Sequence, residues 1–158
     1  MRIIETSVYL GPSLYAHFPV IRFDLDLGPV EAWPTSRLGP RFNDALFAAL
    51  PGLLEHGCSY GAAGGFRRRV LEDEGTWLGH VLEHVAIELQ NVAGEQVTFG
   101  KTRGTGKPGV YSVVYEYAQR EEGIEAGELA MRLLTSLLPP ELQTPRIISE
   151  DWDWPTAR

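Results

Sequence analysis

The chain has 158 residues, a formal net charge of -7 and 44% hydrophobic residues, a profile that predicts one soluble globular domain with a real core. The acidic balance argues against a nucleic-acid partner, since such binding rests on a basic face, and no apolar run approaches the ~20 residues that span a membrane. A single cysteine, Cys58, excludes a disulfide framework. Because the N-terminus also lacks a signal-peptide pattern, we expect a cytoplasmic protein.

The first third of the chain predicts two strands and a helical segment. Residues 2–9 form the first predicted strand, and 20–27 alternate apolar and polar residues, as a half-buried strand does. A turn-rich stretch follows at 33–40. Residues 41–55 have helical periodicity, but Pro51 lies inside them, so we expect the helix to be kinked or split there.

The middle of the chain predicts a loop, a long helix and a strand. Residues 58–66 are glycine-rich and have no periodicity, and a short helical turn is predicted at 67–73. A helix is predicted over 75–93, with Gly94 placed to end it. Residues 96–103 are predicted to form a short strand that runs into another glycine-rich loop.

The last third predicts a strand, a helix and a tail. Residues 110–118 are rich in β-branched and aromatic side chains, which favours a strand. Residues 123–138 are predicted to form a helix that two prolines stop, and 141–158 are expected to be a linker-like tail. The pattern predicts a single α+β domain over 1–140, with a mostly antiparallel sheet packed by about three helices.

The predicted helix over 75–93 contains a His-x-x-Glu-His motif. Its apolar residues share one face, while His80, Glu83, His84 and Glu88 collect on the other. Two histidines four residues apart project from adjacent turns and can share one zinc ion. Glu83, offset between them, is then placed as the general base that takes a proton from zinc-activated water. Glu88, one turn beyond His84, is the candidate third ligand.

Two alternatives to this assignment stay open at the level of the sequence. The third ligand could come from elsewhere in the chain, with Glu116 and Glu128 as candidates. The whole face could instead be solvated, with Glu–His pairs that only stabilise the helix. His17, His56 and Cys58 have no ligand spacing or ordered catalytic partners, so we expect them to be structural.

A basic cluster lies on the loop after residue 100. Gly94 and Gly100 are separated by five residues and no helix is predicted to follow, which excludes a phosphate-binding P-loop. Lys101 and Arg103 are candidates for binding a substrate carboxylate. A solvated hairpin loop is the alternative.

Four segments in order carry a resemblance to a known family. They are CSYGAAGGF at 58–66, GTWLGHVLEHVAIELQ at 75–90, FGKTR at 99–103 and PGVY at 108–111. Together they resemble the N-terminal domain of cyanophycin synthetase, and the helix motif resembles that of pitrilysin-type metallopeptidases. The resemblance covers about residues 1–140.

The resemblance implies a function that involves a longer protein. The family joins aspartate and arginine into cyanophycin, a poly-aspartate chain with arginine on its side-chain carboxylates, and downstream ATP-grasp and Mur-ligase-like modules use ATP for this. The N-terminal domain would bind the polymer and, in some members, cut it internally to make primers. That activity would use His80, His84, Glu83 and Glu88 as assigned above, and a homo-oligomer is expected. The alternatives are a non-catalytic polymer-binding module and a purely structural assembly domain.

Overall fold

The structure, a computed structural model, describes residues 1–58 and 63–143. Four strands form one antiparallel sheet in the order β1-β2-β4-β3: β1 (Arg2–Tyr9), β2 (Val20–Asp26), β3 (Gly100–Gly104) and β4 (Val110–Glu116). Six helices accompany the sheet in the described residues: α1 (Thr35–Leu38), α2 (Pro40–Ala49), α3 (Gly65–Leu71), α4 (Leu78–Val92), α5 (Arg120–Leu137) and α6 (Pro140–Gln143). The predicted α+β class with an antiparallel sheet is confirmed. The described residues hold six helices instead of about three, because α1, α3 and α6 are too short to show a periodic pattern.

The core lies between one face of the sheet and the helices α4 and α5. Strand alternation sends Phe23, Val113 and Tyr115 to this face, where all three are fully buried. The rings of Phe23 and Tyr115 meet edge to face with centroids 5.7 Å apart. Helix α5 approaches closely because Gly127 faces these rings, and a Cβ atom there would lie 2.1 Å from Phe23.

Helix α4 is central to the domain and is covered on both sides. It packs against β3 and β4 and also contacts α5. A 3-10 helix over Pro51–Glu55 crosses its other side and contacts α3. Thr35, fully buried, holds the residues that lead into α4, since its hydroxyl donates to the Val70 carbonyl and accepts the Thr76 N–H.

Some predicted boundaries are confirmed and others are wrong. The predicted split at Pro51 occurs, since α2 ends at Ala49 before the 3-10 helix begins. Strand β3 begins at Gly100 instead of residue 96. The reason is local: Asn91 Oδ1 accepts the Val97 N–H, and the carboxylate of Glu116 accepts the N–H groups of Thr98 and Phe99. Side-chain oxygens thus accept the main-chain N–H groups of residues 97–99, which in a longer strand would donate to carbonyl groups of β4.

Other expectations concern the ends of the domain. The start of the predicted tail, 141–143, belongs to α6, and 144–158 lie outside the described residues, as do 59–62 of the glycine-rich loop. Within the described ranges, no helix has the length and apolar character needed to cross a membrane.

Candidate metal centre

The polar side of α4 borders a cavity of about 830 Å³. The cavity floor holds His80, Glu83 and His84, and its walls come from the 57–58 segment, from residues just before α4 and from β3. Glu83 and His84 are each only 5% exposed, and Glu88 is 8% exposed. This burial excludes the solvated-face alternative, because a helix face that only carries surface charge does not bury its carboxylates.

Three potential metal donors converge on this floor. The Nε2 atoms of His80 and His84 lie 3.1 Å apart, and Cys58 Sγ lies 3.5 Å from His80 Nε2. All three donor atoms fall within 4.8 Å of one another. Tetrahedral zinc with bonds of about 2.0–2.1 Å to nitrogen and 2.3 Å to sulfur would separate two nitrogens by roughly 3.4 Å and nitrogen from sulfur by roughly 3.6 Å. The donor set therefore fits a zinc ion in chemistry, and the two separations measured from His80 Nε2 also fit it in spacing.

Burial keeps both histidines of the motif neutral. Desolvation, with the nearby Arg69 cation, lowers the pKa of His80 to about 4. Desolvation, with the neighbouring His80 and His56, lowers the pKa of His84 to about 2. The Phe66 ring stacks on the His84 ring with centroids 4.0 Å apart and so restricts its rotation. Neutral, oriented imidazoles are the form that binds metals.

Glu83 lies beside the donors rather than among them. Its Oε1 is 3.9 Å from His84 Nε2, and its Oε2 accepts a hydrogen bond of 2.6 Å from the Thr102 hydroxyl. Gly100 makes room for the carboxylate, since a Cβ there would lie 2.4 Å from Oε1. Desolvation raises the pKa of Glu83 to about 7, and the Thr102 hydrogen bond opposes that rise. A carboxylate with this pKa can both accept and return a proton near neutral pH.

Glu88 occupies a different place from the predicted one. Its Oε2 lies 2.7 Å from His56 Nε2, and His56 Nδ1 in turn lies 3.1 Å from His84 Nδ1. The other candidate third ligands also lie elsewhere: the Glu116 carboxylate binds main-chain N–H groups, and Glu128 is exposed on α5. Glu88 as a ligand stays a prediction, and Cys58 fits the third position better by distance.

Cys58 and His56, expected to be structural, both join this cluster, whereas His17 is exposed in the β1–β2 loop. Neither shows helical spacing to the motif, because they come from the segment that crosses α4 after the 3-10 helix. The one signal in the sequence was that the segment CSYGAAGGF, which carries part of the family resemblance, begins at Cys58.

Lys101 and Arg103 line the cavity, as does Arg69. Thr102 faces Glu83, so alternation along β3 sends the side chains of Lys101 and Arg103 to the opposite face of the sheet. Because β3 is an edge strand, both side chains border the cavity at its rim instead of facing the histidines. Their binding of a substrate carboxylate stays a prediction.

The fold and the cluster define an α+β domain with a candidate metal centre on a buried helix. Residues 21–139 match the family model described as the cyanophycin synthase-like N-terminal domain, and the chain belongs to this family. The predicted resemblance to that domain is thereby confirmed.

Relatives named cyanophycin synthetase are similar over most of the chain. The match to the Geminocystis herdmanii protein is 44% identical over 140 residues, which is 87% of this chain and 16% of the relative. The Synechocystis protein is 43% identical over the same shares, and the Nostoc protein is 44% identical over 87% of this chain and 15% of its own length. The chain thus spans about a sixth of the length of the curated relatives it matches.

Proposed function

We propose that this domain binds cyanophycin and hydrolyses it internally, which would supply primers to the ligase modules of a cyanophycin synthetase. The observation that carries the proposal is the convergence of Cys58, His80 and His84 next to the buried carboxylate of Glu83. Three protein ligands with a fourth position left open are typical of catalytic zinc sites. The family membership supports cyanophycin as the polymer.

Each residue of the site has a defined task in this proposal. Cys58, His80 and His84 would hold a zinc ion, which when bound supplies Lewis-acid chemistry that activates water and polarises an amide carbonyl. Glu83 takes a proton from the attacking water and delivers it to the leaving amine, so each cut consumes one water and yields a carboxylate and an amine. Thr102 holds the Glu83 carboxylate by its hydrogen bond of 2.6 Å.

The charge distribution of the domain suits a polymer that carries both signs. The net charge of -7 favours guanidinium groups at the domain surface. Lys101 and Arg103 at the rim favour the carboxylates that enter the cavity. The cavity of about 830 Å³ lies in the usual size range of ligand sites and would hold a few residues of the polymer. We place the protein in the cytoplasm with its ATP-dependent modules, as a homo-oligomer.

The test is to incubate the chain with purified cyanophycin and follow polymer length. We expect shortening that a chelator stops, that added zinc restores and that Glu83→Gln abolishes. Glu55→Gln is the matched control, because Glu55 is exposed and lies outside the site. Polymer that stays intact yet co-sediments with the protein would support the non-catalytic binding module instead. Polymer that is neither cut nor bound would leave the structural assembly domain as the remaining alternative.

A further inference from the structure

A hydrogen-bonded chain of side chains runs from Glu88 into the candidate metal centre. Glu88 Oε2 lies 2.7 Å from His56 Nε2, His56 Nδ1 lies 3.1 Å from His84 Nδ1, and His84 Nε2 lies 3.1 Å from His80 Nε2. Two members of this chain, His84 and His80, are also among the three converging donors, and His80 Nδ1 in turn lies 2.9 Å from the Thr76 hydroxyl. Glu88 and His56 therefore touch the centre only through His84.

The hydrogen-bonding chemistry of these groups determines which ring nitrogen of each histidine carries the proton. An ionised carboxylate can only accept, so His56 must carry its proton on Nε2. A His84 ring that ligates through Nε2 carries its proton on Nδ1, so His56 Nδ1 must be the acceptor in the 3.1 Å contact between the two rings. His84 is left with an unprotonated Nε2, which is the atom that points toward His80 and Cys58. The direction of the whole chain thus follows from two conditions: Glu88 accepts from His56 Nε2, and His84 binds the metal through Nε2.

The surroundings hold both residues of this pair in place. Gly52, in the 3-10 helix, makes room for Glu88, because a Cβ there would lie 1.7 Å from Oε1. Both partners are largely buried, with side chains 14% and 11% exposed for His56 and Glu88. Phe66 stacks on the far member, His84, and prevents its ring from turning away.

We infer that His56 and Glu88 are positioning residues that fix the tautomer of His84, so that its Nε2 lone pair faces the metal centre. This role rests on the proposed function, in which His84 is a ligand and Cys58 takes the third position that the sequence assigned to Glu88. A ligating histidine commonly donates its other N–H to such a partner, and loss of that partner costs about 10–100-fold in metal affinity. Here the carboxylate acts through a second histidine instead of directly.

Two measurements test the inference. Nitrogen NMR of the metal-free chain distinguishes protonated from unprotonated ring nitrogens, and we expect His84 to carry its proton on Nδ1. Zinc affinity, measured by competition with a chelating dye, should fall about 10-fold or more in Glu88→Gln and in His56→Phe. His56→Gln keeps an acceptor for His84 and should recover part of the loss, which a purely structural role would not produce. Glu55→Gln should match the wild type.

The outcomes separate this inference from the proposed function. A proton on His84 Nε2 in the wild-type chain would overturn the inference, as would unchanged zinc affinity in folded Glu88→Gln and His56→Phe. If these variants do not fold, the tautomer in the wild type decides the matter. A wild-type chain with no measurable zinc affinity would refute the proposed metal centre, while the NMR result would still decide how His84 is oriented.

Discussion

The raised pKa of Glu83 makes the free energy of unfolding of the metal-free domain depend on pH. The substitution Glu83→Gln should remove this part of the pH dependence. Glu83 titrates near 4.5 when exposed and near 7 in the folded domain, chiefly because burial disfavours its charge. A raised carboxyl pKa means that the folded state holds the proton more tightly. Its contribution to stability is therefore fully present below about pH 4.5 and is lost as the pH rises through about 7.

Replacing Glu83 by Gln removes this titration and keeps the size of the side chain. Gln can still accept the Thr102 hydrogen bond, so the main change is the loss of a buried charge. With the two pKa values of about 4.5 and 7, the penalty of ionising Glu83 grows by roughly 2 kcal/mol between about pH 5.5 and 8. The free energy of unfolding of Glu83→Gln minus that of the wild type should rise by this amount over that range.

Urea unfolding with a chelator present, at several pH values, measures the difference. Comparing the two proteins at each pH cancels the histidine contributions, which act in the opposite direction. The lowered pKa values of His80 and His84 give stability that is present above about pH 6.5 and is lost as the pH falls. Glu55→Gln should give a difference that stays flat. A flat difference for Glu83→Gln would refute the argument that burial holds this carboxyl near neutrality.

Three further predictions concern the same centre. Gly100→Ala places a Cβ 2.4 Å from Glu83 Oε1, so hydrolysis should fall about 10-fold or more with zinc content unchanged. Gly11→Ala, which meets no atom within 4 Å and lies outside the cavity lining, should be silent in the polymer assay. Thr102→Val should raise the pKa of Glu83 further in a carbon NMR titration, and Thr102→Ser should restore it. Cys58→Ser should weaken zinc binding in a dye competition; unchanged affinity would exclude the thiol as a ligand.

Helix α4 and its two faces could be predicted from the sequence alone. Apolar residues at helical spacing require one side to face a core, and this places His80, Glu83 and His84 together on the other side whatever the rest of the chain does. Strands β1, β2 and β4 followed in the same way from alternation and β-branched content. These features depend on residues that are close together in the sequence, so the local sequence is enough to predict them.

The partners of that helix face depended on the tertiary structure. Cys58 and His56 reach the motif because the 3-10 helix over Pro51–Glu55 crosses α4, and Glu88 binds His56 because Gly52 leaves space there. Gly100 and Thr102 reach Glu83 only because β3 is the edge strand beside α4. The polar contacts between side chains of this cluster and those of α4 join residues 19 to 32 positions apart. A periodic pattern in the sequence cannot predict these contacts, because they depend on how separate helices and strands pack together. The spacing of residues within one element does not contain that information.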